Sequence, residues 1–173
     1  FNPPHMGHEL AGLYVLETCD VDQLWFIPTF KHPFDKQLIS YEDRFVMCEL
    51  MADALGPRAR VSDVERRLPE PSRTLNTVKA LQAEHPGHAF SLVVGSDLER
   101  EIATWYGSEE LLRLVPLIVV GRRGSQGARP VAIPDISSSE VRGRLARGEP
   151  VDDLLPRRVL DYIRRRTLYG EPQ

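Results

Sequence analysis

Apolar positions follow two rhythms along the chain. Short, nearly continuous apolar runs at residues 23–28 (QLWFIP), 59–64, 90–95 (FSLVVG) and 116–120 (PLIVV) have the length and β-branched content of strands. Between them, apolar residues recur at helical spacing over residues 7–19, 41–55, 73–85 and 108–114. In the second of these segments Phe45, Cys48, Ala52 and Leu55 share one face, and Ser72 reads as the start of the third. Residues 97–104 read as a further short helix, 131–133 as a short last strand, and 138–147 and 157–166 as two closing helices. The run 90–95 is expected to be buried throughout.

Parallel strands need a crossover long enough for a helix, and helices on both faces bury the strands they cover. The alternation therefore predicts a doubly wound parallel α/β fold, Rossmann-like, in a single domain over residues 1–173. In such sheets ligands bind beyond the carboxyl ends of the strands, which directs attention to the segments that follow them.

Composition narrows the picture. Hydrophobic residues at 42% and charged residues at 27% belong to a globular protein, not to a disordered or membrane-embedded one. No apolar run approaches the roughly 20 residues of a spanning helix, and no signal-peptide pattern is present, so the expected location is the cytoplasm. A net charge of −3 gives no reason to expect binding along a nucleic-acid backbone. Arg157, Arg158, Arg164, Arg165 and Arg166 form a basic cluster that suits the solvated end of a helix. Cys19 and Cys48, in helical segments and without CxxC spacing, read as buried thiols and not as a disulfide or metal pair.

Two segments carry candidate chemistry. Phe1-Asn2-Pro3-Pro4-His5-Met6-Gly7-His8 leads straight into a helix, with two histidines three residues apart and so on one side of the first turn. Such a place suits an anion: histidines donate to phosphate oxygens, and Gly7 allows close approach to the backbone. Read alone, the pair fits equally a cap and a surface residue; no third ligand stands nearby to favour a metal. Ile136-Ser137-Ser138-Ser139-Glu140-Val141-Arg142 opens a later helix. Ser137 and Glu140 fit a capping box, which leaves the other hydroxyls and Arg142 as a second candidate phosphate cradle.

Taken together, HxGH near the first helix and ISSSEVR near the end resemble the paired signatures of the nucleotidyltransferase superfamily. More closely, the chain resembles bacterial nicotinate mononucleotide adenylyltransferases. The likeness extends over FIP followed by a basic loop, SRTLNT, VVGSDL, TWY, GRRG, ISSSEVR and LLPRRVLDYIRRRTLY. In that family a first strand and a glycine turn precede FNPPHMGH, so residues upstream of Phe1 are expected. The stretch Lys31-His32-Pro33-Phe34-Asp35-Lys36 departs from the Pro-Pro-His-Lys of many relatives, and Ser139 replaces a frequent threonine.

The resemblance implies adenylyl transfer from ATP to nicotinate mononucleotide, giving nicotinate adenine dinucleotide and pyrophosphate in NAD biosynthesis. It implies that His5 and His8 meet the ATP phosphates, His8 nearest the reacting one, with Arg142, Ser137 and Ser138 holding the others and Lys36 directed at the triphosphate. Phe1, Gly7, Gly95 and Asp97 complete the ATP side. The backbone at Thr74 and Tyr106 would receive the nicotinate carboxylate, Trp105 would stack on the pyridine ring, and Arg123 would meet the acceptor phosphate. Mg²⁺ would ride on the ATP phosphates, with no protein carboxylate cluster. Structural alternatives stay open for Thr74 as a helix start, Trp105 as packing, Asp97 as an N-cap and Arg123 as part of a solvated turn.

Small-molecule substrates are the expected partners, with no nucleic acid and no membrane; a homo-oligomer is left open. Nicotinamide mononucleotide or phosphopantetheine is the rival acceptor, although TWY and SRTLNT favour a pyridine carboxylate. An aminoacyl-tRNA synthetase shares an HxGH-type element, but 173 residues leave no room for tRNA-binding domains. A non-catalytic nucleotide-binding module on the same fold is the rival of another class.

Overall fold

The computed structural model describes residues 1–32, 38–99, 101–121 and 133–170. Two compact units are built from interleaved segments: Phe1–Pro28, Gln37–Asp63 and Pro134–Gln173 form the first, Thr29–Lys36 and Val64–Ile133 the second.

In the first unit α1 (Met6–Thr18) leads to β1 (Leu24–Phe26), α2 (Tyr41–Ala54) crosses over, and β2 (Ala59–Val61) pairs parallel with β1, Leu24 opposite Ala59 and Phe26 opposite Val61. α1 packs closely on this pair because Gly12 presents no side chain: a Cβ there would lie 2.9 Å from Leu24 and Leu55 and 3.0 Å from Phe26. α2 begins at Ser40, whose hydroxyl accepts from the Asp43 N–H at 3.0 Å, and Glu42 and Asp43 suit the positive end of the helix. Its core stripe runs through Met47, Cys48, Met51 and Ala52, while the expected face members Phe45 and Leu55 are only half-buried. α2 serves both β2 and α6 (Arg157–Arg166), so its buried stripe is rotated toward the methionines and is wider than a one-sided reading gives. Burial pushes the Cys48 thiol up to about 12, so it is protonated and inert at neutral pH. Cys19, expected to be buried, caps the end of α1 and is half-exposed.

The second unit repeats the logic. α3 (Thr74–Glu84) precedes β3 (Leu92–Gly95), α4 (Ser108–Leu114) crosses over, and β4 (Leu117–Val120) pairs parallel with β3, Leu92 opposite Leu117 and Gly95 opposite Val120. Leu75 and Val78 of α3 with Leu111 and Val115 form the core, against which Phe90, Leu92, Trp105 and Leu114 pack. Of β3 only Val94 is buried, contrary to the expectation of burial throughout, because the ladder is two strands wide among the described residues.

Several boundaries move for physical reasons. β2 stops at Val61, with one more bond from the Ser62 N–H to the Phe26 carbonyl, because Pro28 offers its neighbour no N–H; Val64–Arg67 then turns as a 3₁₀ helix. Ser72 does not cap α3: its N–H and hydroxyl are taken by the Lys31 backbone at 2.9 and 3.1 Å, which leaves Arg73 in the cap position. Residues 96–99 form a turn and Ile102–Thr104 a 3₁₀ helix, not the expected continuous helix; Ile102 alone is buried there, too little apolar surface to hold an α-helix. The short strand expected at 131–133 falls largely outside the described residues; Ile133 makes a single bridge, its N–H to the Gly121 carbonyl at 3.2 Å.

Gly107 sits at the start of α4 with φ +64°, and a Cβ there would collide with Leu75 in the core. Gly107→Ala is expected to lower stability by about 2–4 kcal/mol, from left-handed backbone strain and overpacking together. Urea unfolding at constant m-value measures this, and a loss below about 0.5 kcal/mol would show that Leu75 gives way freely.

Candidate active site

α1 and α5 (Ser138–Ala146) start side by side in the first unit, and the residues between them explain why. Pro3 and Pro4 have no N–H, so the loop before α1 cannot close its own hydrogen bonds, and its carbonyls need donors from elsewhere. α5 supplies them: the Ser138 hydroxyl donates to the Pro3 carbonyl at 2.9 Å and an Arg142 Nη donates to the Asn2 carbonyl at 2.9 Å. The other Arg142 Nη donates to the Ser139 hydroxyl at 3.3 Å, which fixes the plane of the guanidinium. Two segments about 135 residues apart are thus one structure.

His5 is the N-cap of α1 in extended backbone, and His8 is the third residue of the helix. The His5 N–H donates to His8 Nδ1 at 3.1 Å, so neutral His8 carries its proton on Nε2. The two imidazoles lie 3.8 Å apart, and the Phe1 ring meets His8 edge-on at 4.7 Å. His5 is buried while His8 is half-exposed, which makes His8 the more accessible donor. Gly7 is required by closeness: a Cβ there would lie 3.1 Å from the His5 ring and 3.5 Å from the Pro134 carbonyl.

Ser137 makes its half of the expected capping box, its hydroxyl accepting from the Glu140 N–H at 3.1 Å, whereas the Glu140 carboxylate turns to Arg144 at 2.8 Å and not back to the cap. Its side chain is therefore a helix cap first, whereas Ser138 and Arg142 link the two segments. Among the described residues no group of three His, Cys, Asp or Glu side chains is placed to hold a metal ion, and no helix is long and apolar enough to cross a membrane.

In the second unit Thr74 is the first residue of α3, and Arg73 lies over the Tyr106 ring at 5.5 Å. Tyr106 is exposed by 61%, while Trp105 rests half-buried against the Leu75 cluster. Thr74 and the Trp105–Tyr106 pair are thus linked within this unit by the Arg73–Tyr106 contact and by the packing of Trp105 on the cluster to which Leu75 belongs. Gly95 ends β3, and Asp97 lies exposed in the turn that follows it, at the carboxyl end of the strand. Lys36 and Arg123 lie outside the described residues.

Sequence reasoning passed over two residues of the first unit. Asn2 is buried, and its carboxamide oxygen accepts from the Tyr169 hydroxyl at 3.0 Å and from the Ile39 N–H at 3.4 Å. Both lie inside segments that carry the family resemblance, Asn2 in FNPPHMGH and Tyr169 at the end of LLPRRVLDYIRRRTLY, yet neither residue is given a role there.

Comparison with known proteins shows the family. The profile of the cytidylyltransferase-like family matches residues 1–144. A probable nicotinate-nucleotide adenylyltransferase of Anaeromyxobacter sp. strain K is 44% identical, over 98% of this chain and 92% of its own. A probable nicotinate-nucleotide adenylyltransferase of Geobacillus thermodenitrificans is 35% identical, over 98% and 82%. A Plasmodium falciparum nicotinic acid mononucleotide adenylyltransferase solved in complex with NaAD superposes with a TM-score of 0.81 at 22% identity, covering 98% of this chain and 93% of that one, a likeness of fold. The parallel pairs with helical crossovers are thus parts of a doubly wound, Rossmann-like fold, and the chain belongs to the cytidylyltransferase-like family and, within it, to the nicotinate-nucleotide adenylyltransferases.

Proposed function

We propose that the protein joins the AMP moiety of ATP to nicotinate mononucleotide. A phosphate oxygen of the acceptor attacks the α-phosphorus; that P–O bond forms as the bond to the bridging oxygen breaks, and pyrophosphate leaves with the electron pair. Positioning and charge neutralisation account for most of the catalysis in such a displacement, and no covalent enzyme intermediate is needed. The observation that carries the reading is the pair of hydrogen bonds from Ser138 and Arg142 to the Pro3 and Asn2 carbonyls, which bring the paired histidines and the arginine to adjoining helix starts.

In this reading the Nε2–H of His8 meets the α-phosphate as its charge grows, His5 holds the His8 ring, and Arg142 takes the outer phosphates with the N–H groups that its bonds to Asn2 and Ser139 leave over, while Ser138, whose one O–H proton is on the Pro3 carbonyl, acts by holding the two segments together. The Ser137 hydroxyl only accepts in capping α5, which leaves its own O–H proton to donate to an outer phosphate. Phe1 sets the His8 ring from its edge, and Gly7 leaves the backbone approachable. Lys36 remains assigned to the triphosphate and Arg123 to the acceptor phosphate. Gly95 and Asp97 are assigned to the nucleotide from the turn after β3, and Thr74, Trp105 and Tyr106 to the nicotinate ring and its carboxylate. Mg²⁺ enters as part of the ATP substrate, held by phosphate oxygens and water, the ligands it prefers.

Pyrophosphate release from ATP and Mg²⁺, with nicotinate mononucleotide, nicotinamide mononucleotide and phosphopantetheine offered in turn, tests the reading. The expected result is selective turnover of the nicotinate form, because backbone N–H groups at Thr74 and Tyr106 gain a carboxylate partner that the amide lacks. Equal turnover of both pyridine nucleotides would remove the role given to those N–H groups. ATP binding without turnover would leave a nucleotide-binding module.

A further inference from the structure

A tyrosine beyond the last helix reaches the loop that carries the histidines. α6 closes in the usual way: Thr167 adopts a left-handed φ of 52°, the Leu168 N–H returns to the Ile163 carbonyl at 3.1 Å and the Thr167 N–H to the Arg164 carbonyl at 3.3 Å. Helix closure explains Thr167. It does not explain Tyr169, which lies past the cap and again has a left-handed φ, of 63°, although it is not glycine. Such a backbone persists only when surrounding contacts hold it, and the contact here is the hydrogen bond from its hydroxyl to the Asn2 carboxamide.

α6 is placed so that this contact is reproducible. Tyr162 donates to Asp43 at 2.7 Å and Arg166 to the same oxygen at 3.3 Å, while Ser40 donates to the other Asp43 oxygen at 2.7 Å. The Ser40 hydrogen bond, with those of Tyr162 and Arg166, holds the Asp43 carboxyl below its ordinary value against the opposing effect of burial. One residue before Ser40, the Ile39 N–H donates to the Asn2 oxygen that Tyr169 also uses, and the Ile39 carbonyl accepts from the buried Arg44 at 3.2 Å. The start of α2 therefore anchors both α6 and Asn2.

We infer that Tyr169 is a positioning residue for the adenylyl transfer proposed above, acting through Asn2 to fix His5, His8 and the carbonyl that Arg142 holds. Asn2 has two jobs at once. Its side chain is gripped by Tyr169 and Ile39, and its carbonyl orients Arg142. Three residues further along the chain comes His5, with only two prolines between Asn2 and it to carry any displacement. Loss of the Tyr169 hydroxyl should thus loosen histidines and arginine together while leaving the acceptor residues of the second unit as they are.

The test is Tyr169→Phe, which keeps the ring and removes the bond. The expected result is a kcat lowered by about tenfold, with the KM for nicotinate mononucleotide changed by less than about twofold. Combined with Asn2→Ala, the substitution should add little further loss, because both act on one contact. In the proton–carbon NMR spectrum the His5 and His8 ring signals should shift while those of His85 and His88 stay. A variant that melts earlier but keeps its kcat and its His5 and His8 signals would show a packing role and overturn the inference, as would losses that multiply in the double variant. If the parent protein turns over none of the acceptors, the reaction is wrong; the histidine signals then decide the positioning role by themselves, unmoved signals overturning it.

Discussion

Replacing His8 by alanine is expected to lower kcat by about a hundredfold or more, the loss seen when a preorganised donor to developing charge is removed. The expectation rests on how tightly the ring is set. Its Nδ1 is held by the His5 N–H at 3.1 Å, one face lies 3.8 Å from the His5 ring, and the Phe1 ring meets it at 4.7 Å. Because Nδ1 accepts from the His5 N–H, the neutral ring carries its proton on Nε2, and that atom is the donor assigned to the phosphate. The fold should survive the change, since the helix start loses one hydrogen bond worth about 0.5–1.5 kcal/mol. Steady-state kinetics with a thermal-melting control separates the two effects. The KM for nicotinate mononucleotide should hardly move, because its proposed partners lie in the other unit. A kcat within about twofold of the parent would remove His8 from the centre of the reaction.

Where the chain reads clearly, local chemistry is sufficient. Ser108–Leu114 and Arg157–Arg166 end where the apolar spacing ends, and the four strands lie inside the apolar runs that announce them. The shifts come from partners that no local window contains. Ser72 looks like a helix cap, yet Lys31, forty-one positions earlier, takes both its donor and its acceptor. Residues 59–64 look like a six-residue strand, yet pairing ends where β1 does, at a proline. The turn after β3 has helical residues but only Ile102 to bury, so a 3₁₀ turn is all that tertiary contact supports.

The site divides in the same way. The histidines and the serine–arginine segment are legible because each motif is continuous and leads into a helix whose free N–H groups already suggest an anion. That the two belong together is visible only in space, through the Ser138 and Arg142 bonds. Asn2 and Tyr169 stand 167 positions apart, and neither residue type by itself suggests the other. Trp105 shows the opposite case: its half-burial against Leu75 is what packing alone would give, so its stacking role rests on the proposed reaction and not on its surroundings.

Arg142→Lys distinguishes charge from geometry at the second helix start. Arginine uses both ends of its fork here, one Nη on the Asn2 carbonyl and the other on the Ser139 hydroxyl, so the guanidinium plane is fixed before a ligand arrives. Lysine keeps the positive charge but is a single rotatable point donor; it can reach one of the two partners and cannot hold a plane. Were charge all that mattered, the variant would work nearly as well as the parent. If the plane matters, kcat/KM for ATP should fall by about ten- to a hundredfold, the loss of one or two charge-assisted hydrogen bonds. Arg142→Met, which removes the charge as well, should fall further still. The half-buried position makes a stability change above about 1 kcal/mol unexpected for the lysine variant, and a melting curve checks this. Lysine at full activity would mean that Arg142 neutralises phosphate from a distance and that its bond to Asn2 belongs to the resting loop alone; a graded loss through lysine to methionine would make that bond part of how the site is built.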